Sequence, residues 1–328
     1  MLIFLSFLLS LLGTAGYRHY ALAKQILDIP NERSAHQLPI PRGGGIVFVA
    51  IFLTVMAYQQ LMSMALIIIT LAVALLGYLD DKYTLTAWTR LACQLTLSGL
   101  VLYCLGGMPE IQIGSWTLAL HGWSACLGVL YLVWMLNLYN FMDGINGIAG
   151  FEAITVALGM AGVYLALDLP SAMDSFLILA AVIAGFLVWN FPKAKIFMGD
   201  VGSSFLGFLF GVWSLHAAHT HPALFWSWMI LLGVFIGDAT MTLLLRMLKG
   251  EALHLAHSGH AYQHASRRFQ SHTVVTLAVC VFNIIWLWPC AFAVGLGYIN
   301  GITGLLIAYV PIVALIWFFK FVPQQSLA

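Results

Sequence analysis

Long, nearly unbroken runs of apolar residues alternate with short polar connections along this chain. Such runs fall at 1–17, 44–58, 61–79, 91–106, 123–139, 151–168, 173–190, 204–218, 223–245, 273–295 and 301–321. A helix crossing the hydrocarbon core of a bilayer needs roughly 20 predominantly apolar residues, and most of these runs approach or reach that length. Backbone groups in hydrocarbon must pair within their own segment, and the alternating polarity of barrel strands is missing. The pattern therefore predicts an all-α, polytopic integral membrane bundle of ten to eleven transmembrane helices. With no linker, low-complexity tract or soluble domain between the runs, residues 1–328 read as a single transmembrane domain.

Composition agrees, since 62% of the residues are hydrophobic and only 8% are charged, whereas soluble domains carry about a quarter charged residues. The net charge of +1 points to no polyanionic partner such as nucleic acid, but the placement of the charges is informative. With eleven spans, all 13 Lys and Arg residues fall in alternate connections. Arg18, Lys24, Arg33 and Arg42 lie in the first, Lys82 and Arg90 in the second, and Lys193 and Lys195 in the third. Arg246, Lys249, Arg267 and Arg268 lie in the fourth, and Lys320 closes the last span. The positive-inside rule makes that side cytosolic, with the N-terminus outside and the C-terminus inside. The first run lacks a basic leader and a small-residue cleavage pattern, so it is expected to be retained as a helix. Cys93, Cys104, Cys126, Cys280 and Cys290 sit in apolar runs without paired spacing, as small core residues do. His216, His219 and His221 cluster on the opposite side and read as an ordinary loop.

Polar chemistry concentrates in the cytosolic connections. Asp80 and Asp81 close the third span; adjacent carboxylates need a cation or a shared proton, so they suit a divalent metal with phosphates, or an interfacial turn countered by Lys82. Asn137, Asn140, Asp143 and Asn146 recur every three residues. On a continuing helix they would share a face, and Gly144, Gly147 and Gly150 would admit a ligand close to the backbone. A simple helix end with a turn is the alternative. Asp200 lies between glycines in Met198-Gly199-Asp200-Val201-Gly202-Ser203-Ser204, able to present a carboxylate and backbone N–H groups to a metal-bound phosphate; a plain N-cap accounts for the serines alone. The last large connection holds His254, His257, His260, Tyr262, Gln263, His264, Arg267 and Arg268. It suits a diphosphate clamp, a zinc site or a basic loop near anionic lipid. Asp238, inside the ninth span, needs a polar partner.

Taken together and in order, these segments resemble the polyprenyl-phosphate N-acetylhexosamine-1-phosphate transferases. The resemblance runs from His36 through Pro41-Arg42-Gly43-Gly44-Gly45, the Asp80–Asp81 pair, the Asn137–Gly150 segment and Met198–Ser203 to Arg268. The spaced His260 and His264, followed by Arg267 and Arg268, replace the three consecutive histidines of the pentapeptide transferase branch. Asn146 stands where that branch commonly has aspartate. The first departure resembles the branch that initiates O-antigen synthesis, and the second argues further against the pentapeptide substrate.

The resemblance implies transfer of N-acetylhexosamine-1-phosphate from a UDP-sugar to undecaprenyl phosphate with release of UMP, at the cytosolic face of a bacterial inner membrane. It implies Mg²⁺, with Mn²⁺ as a substitute, held by Asp200 as principal ligand and by Asp80. Asp80 would also orient or deprotonate the acceptor phosphate, with Asp81 assisting. Asn137, Asn140, Asp143 and Asn146 would serve the nucleotide or the metal network; His260, His264, Arg267 and Arg268 would hold the diphosphate or sugar, with Arg42 reaching in from the first loop. A homodimer is compatible with this reading. The competing readings are phospho-N-acetylmuramoyl-pentapeptide transfer and, in a different class, secondary transport, which favours several midplane acids and an internal repeat; only Asp238 qualifies as a midplane acid.

Overall fold

The computed structural model of the chain describes residues 1–30, 38–114, 116–118, 121–251 and 258–322. Its helices are α1 (Leu2–Ala23), α2 (Gly45–Tyr58), α3 (Met64–Tyr83), α4 (Ala87–Cys104), α5 (Ser124–Phe141), α6 (Ile148–Ala166) and α7 (Met173–Asn190). These are followed by α8 (Asp200–Thr220), α9 (Pro222–Leu231), α10 (Gly233–Leu248), α11 (Ala261–Phe269), α12 (His272–Phe282), α13 (Trp288–Gly295) and α14 (Gly301–Phe321). A π-helical segment, Asn283–Leu287, joins α12 to α13. There are also two short 3-10 turns, His121–Trp123 and Pro170–Ala172, and two small antiparallel ribbons: β1 (Leu27–Asp28) with β2 (Ile40–Pro41), and β3 (Ile111–Ile113) with β4 (Trp116–Leu118).

The apolar runs become the helices almost where expected, and their starts carry local caps. The Ser63 hydroxyl accepts from the Leu66 N–H (3.4 Å), Thr86 from Thr89 (3.2 Å), Ser271 from Val274 (3.3 Å) and the Asn300 side chain from Thr303 (3.0 Å). Among the described residues, eight helices are long and apolar enough to cross a membrane, counting α12–α13 as one. The expected ninth span is instead a bent pair: α9 and α10 meet at 73°, which would make nine. Of the other two expected spans, α2 has only 14 residues, and α4 carries Arg90, Gln94, Thr96 and Ser98 along its length.

Helix α8 is the axis of the bundle. Of its membrane window 89% is buried by protein, against 17% for α1. Lipid tails are as apolar as the core, so close packing and internal hydrogen bonds rather than a hydrophobic drive hold such helices together. Around α8 the packing is aromatic: Trp213 meets Phe176 at 5.0 Å, Phe52 at 5.9 Å and Trp228 at 6.1 Å between ring centroids. The Tyr131 hydroxyl shares a 2.6 Å hydrogen bond with Ser214 Oγ. Sequence counts one intramembrane acid, Asp238; the structure adds Glu152, 1% exposed on α6, which accepts a 2.6 Å hydrogen bond from Asn283 Nδ2. The five cysteines are free.

At one end of the bundle the connections interlock. Arg42 N–H donates to Ile26 O, extending the β1–β2 ribbon (3.2 Å). The strand then zips onto the segment before α8: Phe197 N–H donates to Pro41 O (2.8 Å), and the Gly44 and Gly45 N–H groups donate to Phe197 O and Met198 O (both 2.9 Å). Arg18 of α1 reaches the same end, donating from Nε to Lys195 O (3.1 Å). The opposite end is closed by the β3–β4 ribbon, on which Trp226 Nε1 donates to Gln112 O (2.8 Å).

Candidate active site

Two of the expected boundaries shift, and both shifts matter. Helix α3 runs on to Tyr83, so Asp80 and Asp81 belong to its last turn rather than to the loop after it. Helix α8 begins at Asp200, so that carboxylate stands at the helix N-terminus, where the aligned peptide dipoles favour negative charge. Before it, Gly199 has φ of 75°, a left-handed conformation costly to any residue with a side chain, and an added Cβ would run into the Asp81 carboxylate. Asp81 Oδ2 accepts from the Val201 N–H (3.3 Å), so the end of α3 caps the start of α8. Arg42 covers Asp81 from the first loop: Nη2 donates to the Asp81 carbonyl, and Nη1 lies 3.9 Å from Oδ1.

Asp80 faces the other way. Its Oδ2 accepts from Arg90 Nη1 at 2.6 Å and its Oδ1 from the Leu85 N–H at 2.7 Å, and it stays close enough to Asp200 for the two carboxylates to interact.

The Asn/Asp repeat does not continue as a helix. Helix α5 ends at Phe141, so Asn137 and Asn140 are helical while Asp143 and Asn146 lie in the turn that leads to α6. Hydrogen bonds fix the asparagine side chains. Asn140 Nδ2 donates to Ser203 Oγ (3.0 Å). Asn146 Nδ2 donates to Pro192 O (3.1 Å), while Asn190 Oδ1 accepts from the Gly147 N–H (2.9 Å). Asn137 turns toward α4 and donates to Gln94 Oε1 at 2.8 Å.

These residues bound two cavities. A polar cleft of about 260 Å³ is lined by Arg42, Asp81, Asn140, Asp143, Asn146 and Asp200, together with Gln263 and His272. A larger groove of about 700 Å³ lies between α3, α4, α5 and α10; its walls are mainly Leu, Val, Trp and Phe, with Asp80, Arg90, Gln94, Asn137 and His260 on its polar side. Asn140 and Asp200 line both. The cleft concentrates negative charge: burial first, then the neighbouring Asp200 and Asp81, hold the Asp143 carboxyl well above the usual carboxylate range. Among the described residues no three His, Cys, Asp or Glu side chains form a ready-made metal cage.

The last loop divides. His260 lies on the groove, whereas His264, Arg267 and Arg268 line neither cavity. Arg267 Nη2 donates to Ser258 O (2.9 Å), and the Arg268 guanidinium stacks 4.6 Å from the Phe318 ring. Burial, followed by Arg267 and Lys320, lowers the His264 pKa below its ordinary 6.5, so its imidazole is neutral at pH 7. His36, His254 and His257 lie outside the described residues. Sequence reasoning passed over Gln94, Asn190 and His272, and it counted Arg90 only as a loop charge, Ser203 only within its motif and Gln263 only within the last loop. Arg90 and Gln94 had a usable signal, a cation and an amide one helical turn apart at the mouth of an apolar run; His272 opens an apolar run and had none.

The sequence model of glycosyl transferase family 4 matches residues 61–218, which hold the Asp80–Asp81 pair, the 137–150 segment and Asp200. Over 295 residues, 86% of this chain and 81% of the relative, it is 30% identical to a probable undecaprenyl-phosphate N-acetylglucosaminyl 1-phosphate transferase of Bacillus subtilis. It is 32% identical over 232 residues to a decaprenyl-phosphate N-acetylglucosaminephosphotransferase of Mycolicibacterium smegmatis, covering 63% of this chain and 57% of the relative. Against a phospho-N-acetylmuramoyl-pentapeptide-transferase of Streptococcus pneumoniae the identity is 29% over 266 residues, 73% of this chain and 78% of the relative. With its motifs gathered at one end of the bundle and this extent of likeness, the chain belongs to the polyprenyl-phosphate N-acetylhexosamine-1-phosphate transferases of glycosyl transferase family 4.

Proposed function

We propose that the protein transfers N-acetylhexosamine-1-phosphate from a UDP-sugar to undecaprenyl phosphate at the cytosolic face of a bacterial inner membrane, the first step of an O-antigen-like polysaccharide. The observation that carries this reading is the meeting of two chemically opposite cavities at Asn140 and Asp200. A polar cleft rimmed by carboxylates and amides suits a nucleotide diphosphate sugar with a divalent cation; an apolar groove among helices suits a polyprenyl tail with its phosphate at the groove's polar end. The placement of all basic residues in alternate connections supports the cytosolic side.

An oxygen of the acceptor phosphate attacks the sugar-linked phosphorus of the donor. The new P–O bond replaces the bond to the bridging oxygen, which leaves with UMP. Such a transfer needs alignment and charge neutralisation more than covalent chemistry by the protein. The donor set fits Mg²⁺, which keeps most of its waters and needs only one or two carboxylates beside the phosphates. Among the described residues four acids, Asp80, Asp81, Asp143 and Asp200, converge with Arg42 and Arg90 as the only cations paired against them, a crowding of carboxyl groups that a bound cation would relieve. Asp200 would be the principal ligand, with Asp81 on the same cleft. When bound, the ion supplies charge stabilisation at the diphosphate. Asp80, held by Arg90 on the groove side, orients the acceptor phosphate, and Asn140 and Asn146 hold the donor. His260 meets the acceptor phosphate from α11, with Asn137 steadying the groove wall.

The test is transfer by purified protein in detergent, given undecaprenyl phosphate and Mg²⁺ with labelled UDP-N-acetylglucosamine, UDP-6-deoxy-N-acetylhexosamines or UDP-N-acetylmuramoyl-pentapeptide. Labelled lipid from one of the first two supports the proposal. Product from the pentapeptide donor alone would move the chain to the peptidoglycan branch, and no lipid product from any donor would overturn the assignment.

A further inference from the structure

Asp238 lies on α10, beyond the bend, and is 3% exposed. Its carboxylate is fully engaged. Oδ1 accepts from the Ala261 N–H (2.9 Å) and from Thr242 Oγ1 (3.0 Å), and Oδ2 accepts from the Tyr262 N–H (3.0 Å). His260 Nδ1 stands 3.6 Å from Oδ1. Ala261 and Tyr262 open α11, where backbone N–H groups have no partner within the helix. A cap usually comes from the residue before the helix; here a buried carboxylate on a different helix closes two of those positions. Thr242 in turn accepts from Lys320 Nζ (2.5 Å), which ties the arrangement to α14.

The opposite face of the same turn bears on the site. The Tyr262 hydroxyl donates to Phe141 O (3.1 Å), the last residue of α5, and an added Cβ at Gly144 would collide with that hydroxyl. Gln263 caps the His260 N–H through Oε1 (3.2 Å) and lines the polar cleft, while His260 lines the groove. The first turn of α11 thus touches both cavities at the point where they approach each other, and its backbone is fixed from behind.

We propose that Asp238 is a positioning residue: its carboxylate clamps the first turn of α11, and through Gln263 and His260 it sets the alignment of donor and acceptor without touching either. The kinetic half of this inference rests on the transferase reading above; the structural half does not.

The experiment compares wild type with Asp238→Asn and Thr242→Val, full-length in detergent, by hydrogen–deuterium exchange and by steady-state transfer per folded molecule. Asn keeps the volume, removes the charge, and turns one acceptor into a donor facing a backbone N–H. Peptides covering 258–269 are expected to exchange about tenfold faster in Asp238→Asn, while peptides of α5 and α8 keep wild-type protection. A displacement of the order of 1 Å at that turn is expected to lower kcat/KM about 10²-fold, mostly in kcat, since alignment rather than affinity is lost. Thr242→Val, which leaves the carboxylate and both backbone bonds, is expected to move both readouts the same way by a smaller amount; it also decides the matter if Asp238→Asn does not fold. Wild-type exchange over 258–269 in both variants would overturn the clamp. Faster exchange throughout the bundle would make Asp238 a support of the whole fold and overturn it as well. Loosened α11 with unchanged kcat, or a loss confined to KM, would overturn the alignment. A wild-type protein that transfers nothing would sink the transferase reading, while the exchange data would still decide the clamp.

Discussion

The polar cleft and the α11 corner are both built from connections at the same end of the bundle, but they are held by different means. Around the cleft, the frame is main chain on main chain, residues 41–45 zipped onto 197–198, with the Asp81 carboxylate added as a cap on α8. At the corner, side chains do the holding: Asp238 on the backbone of α11, Lys320 on Thr242, and Arg268 on the Phe318 ring. A main-chain scaffold tolerates side-chain changes, so substitutions in the cleft should damage chemistry and spare the fold. Side-chain fastening has the opposite weakness, and substitutions at the corner should shift structure first.

The largest expected effect is that of Asp200→Asn. Losing one transition-state charge contact costs on the order of 10²–10³ in rate. Turnover at saturating donor should fall by that factor while the thermal melting of the purified protein stays near wild type; a melting loss as severe as the rate loss would erase the contrast between the two regions. Next comes Gly199→Ala. Its backbone sits at φ 75° and the new Cβ meets Asp81 and the Gly43 backbone, so a destabilisation of about 1–3 kcal/mol is expected, seen as a lowered melting temperature. This is the one place where the cleft should behave structurally, because there the main chain itself is altered.

Gly144→Ala sharpens the contrast from the other side. The added methyl must push Tyr262 and with it α11, and kcat should drop about 10-fold by the same misplacement logic. Tyr262→Phe in the same chain removes the colliding hydroxyl, so the double variant should be faster than Gly144→Ala alone. Equal rates for the two would show that α11 does not lean on this loop. Asn137→Ala should cost about 1–3 kcal/mol by stranding its Gln94 partner, with a non-additive recovery in the Asn137→Ala, Gln94→Ala double variant. Arg268→Ala should change kcat/KM less than twofold, since its guanidinium rests on Phe318 and a contact of that kind is worth about 0.5–1 kcal/mol at an exposed site. A tenfold loss there would place Arg268 at the diphosphate after all.

Much of this was legible beforehand for a simple reason: a bilayer imposes one length and one polarity on every span, so runs such as 173–190 coincide with α7 at both ends. The 73° break between α9 and α10 left no trace, because both halves are apolar and no proline stands at the joint. The π segment in 283–287 had one signal, Pro289 two residues beyond it, which cannot donate to an α-helical ladder. In the site, acids flanked by glycines announced themselves, whereas Gln263 and His272 reach the cleft only because α11 folds back over it. That return depends on Asp238, distant in sequence, whose isolation in an apolar run showed that it needs a partner but not which one. Arg267 and Arg268 read as phosphate ligands because arginine is the same letter whatever it faces; here Arg267 reaches Ser258 O and Arg268 rests on the Phe318 ring.

The zip between residues 41–45 and 197–198 also bears on how the molecule is made. The ribosome delivers the first strand long before its partner, and α2 to α7 are made in between. Until the segment before α8 emerges, the N–H groups of Gly44 and Gly45 have only interfacial water for company. The cleft is therefore among the late parts of the newborn chain to close. A nascent chain arrested before residue 197 would insert its early helices yet carry no catalytic centre.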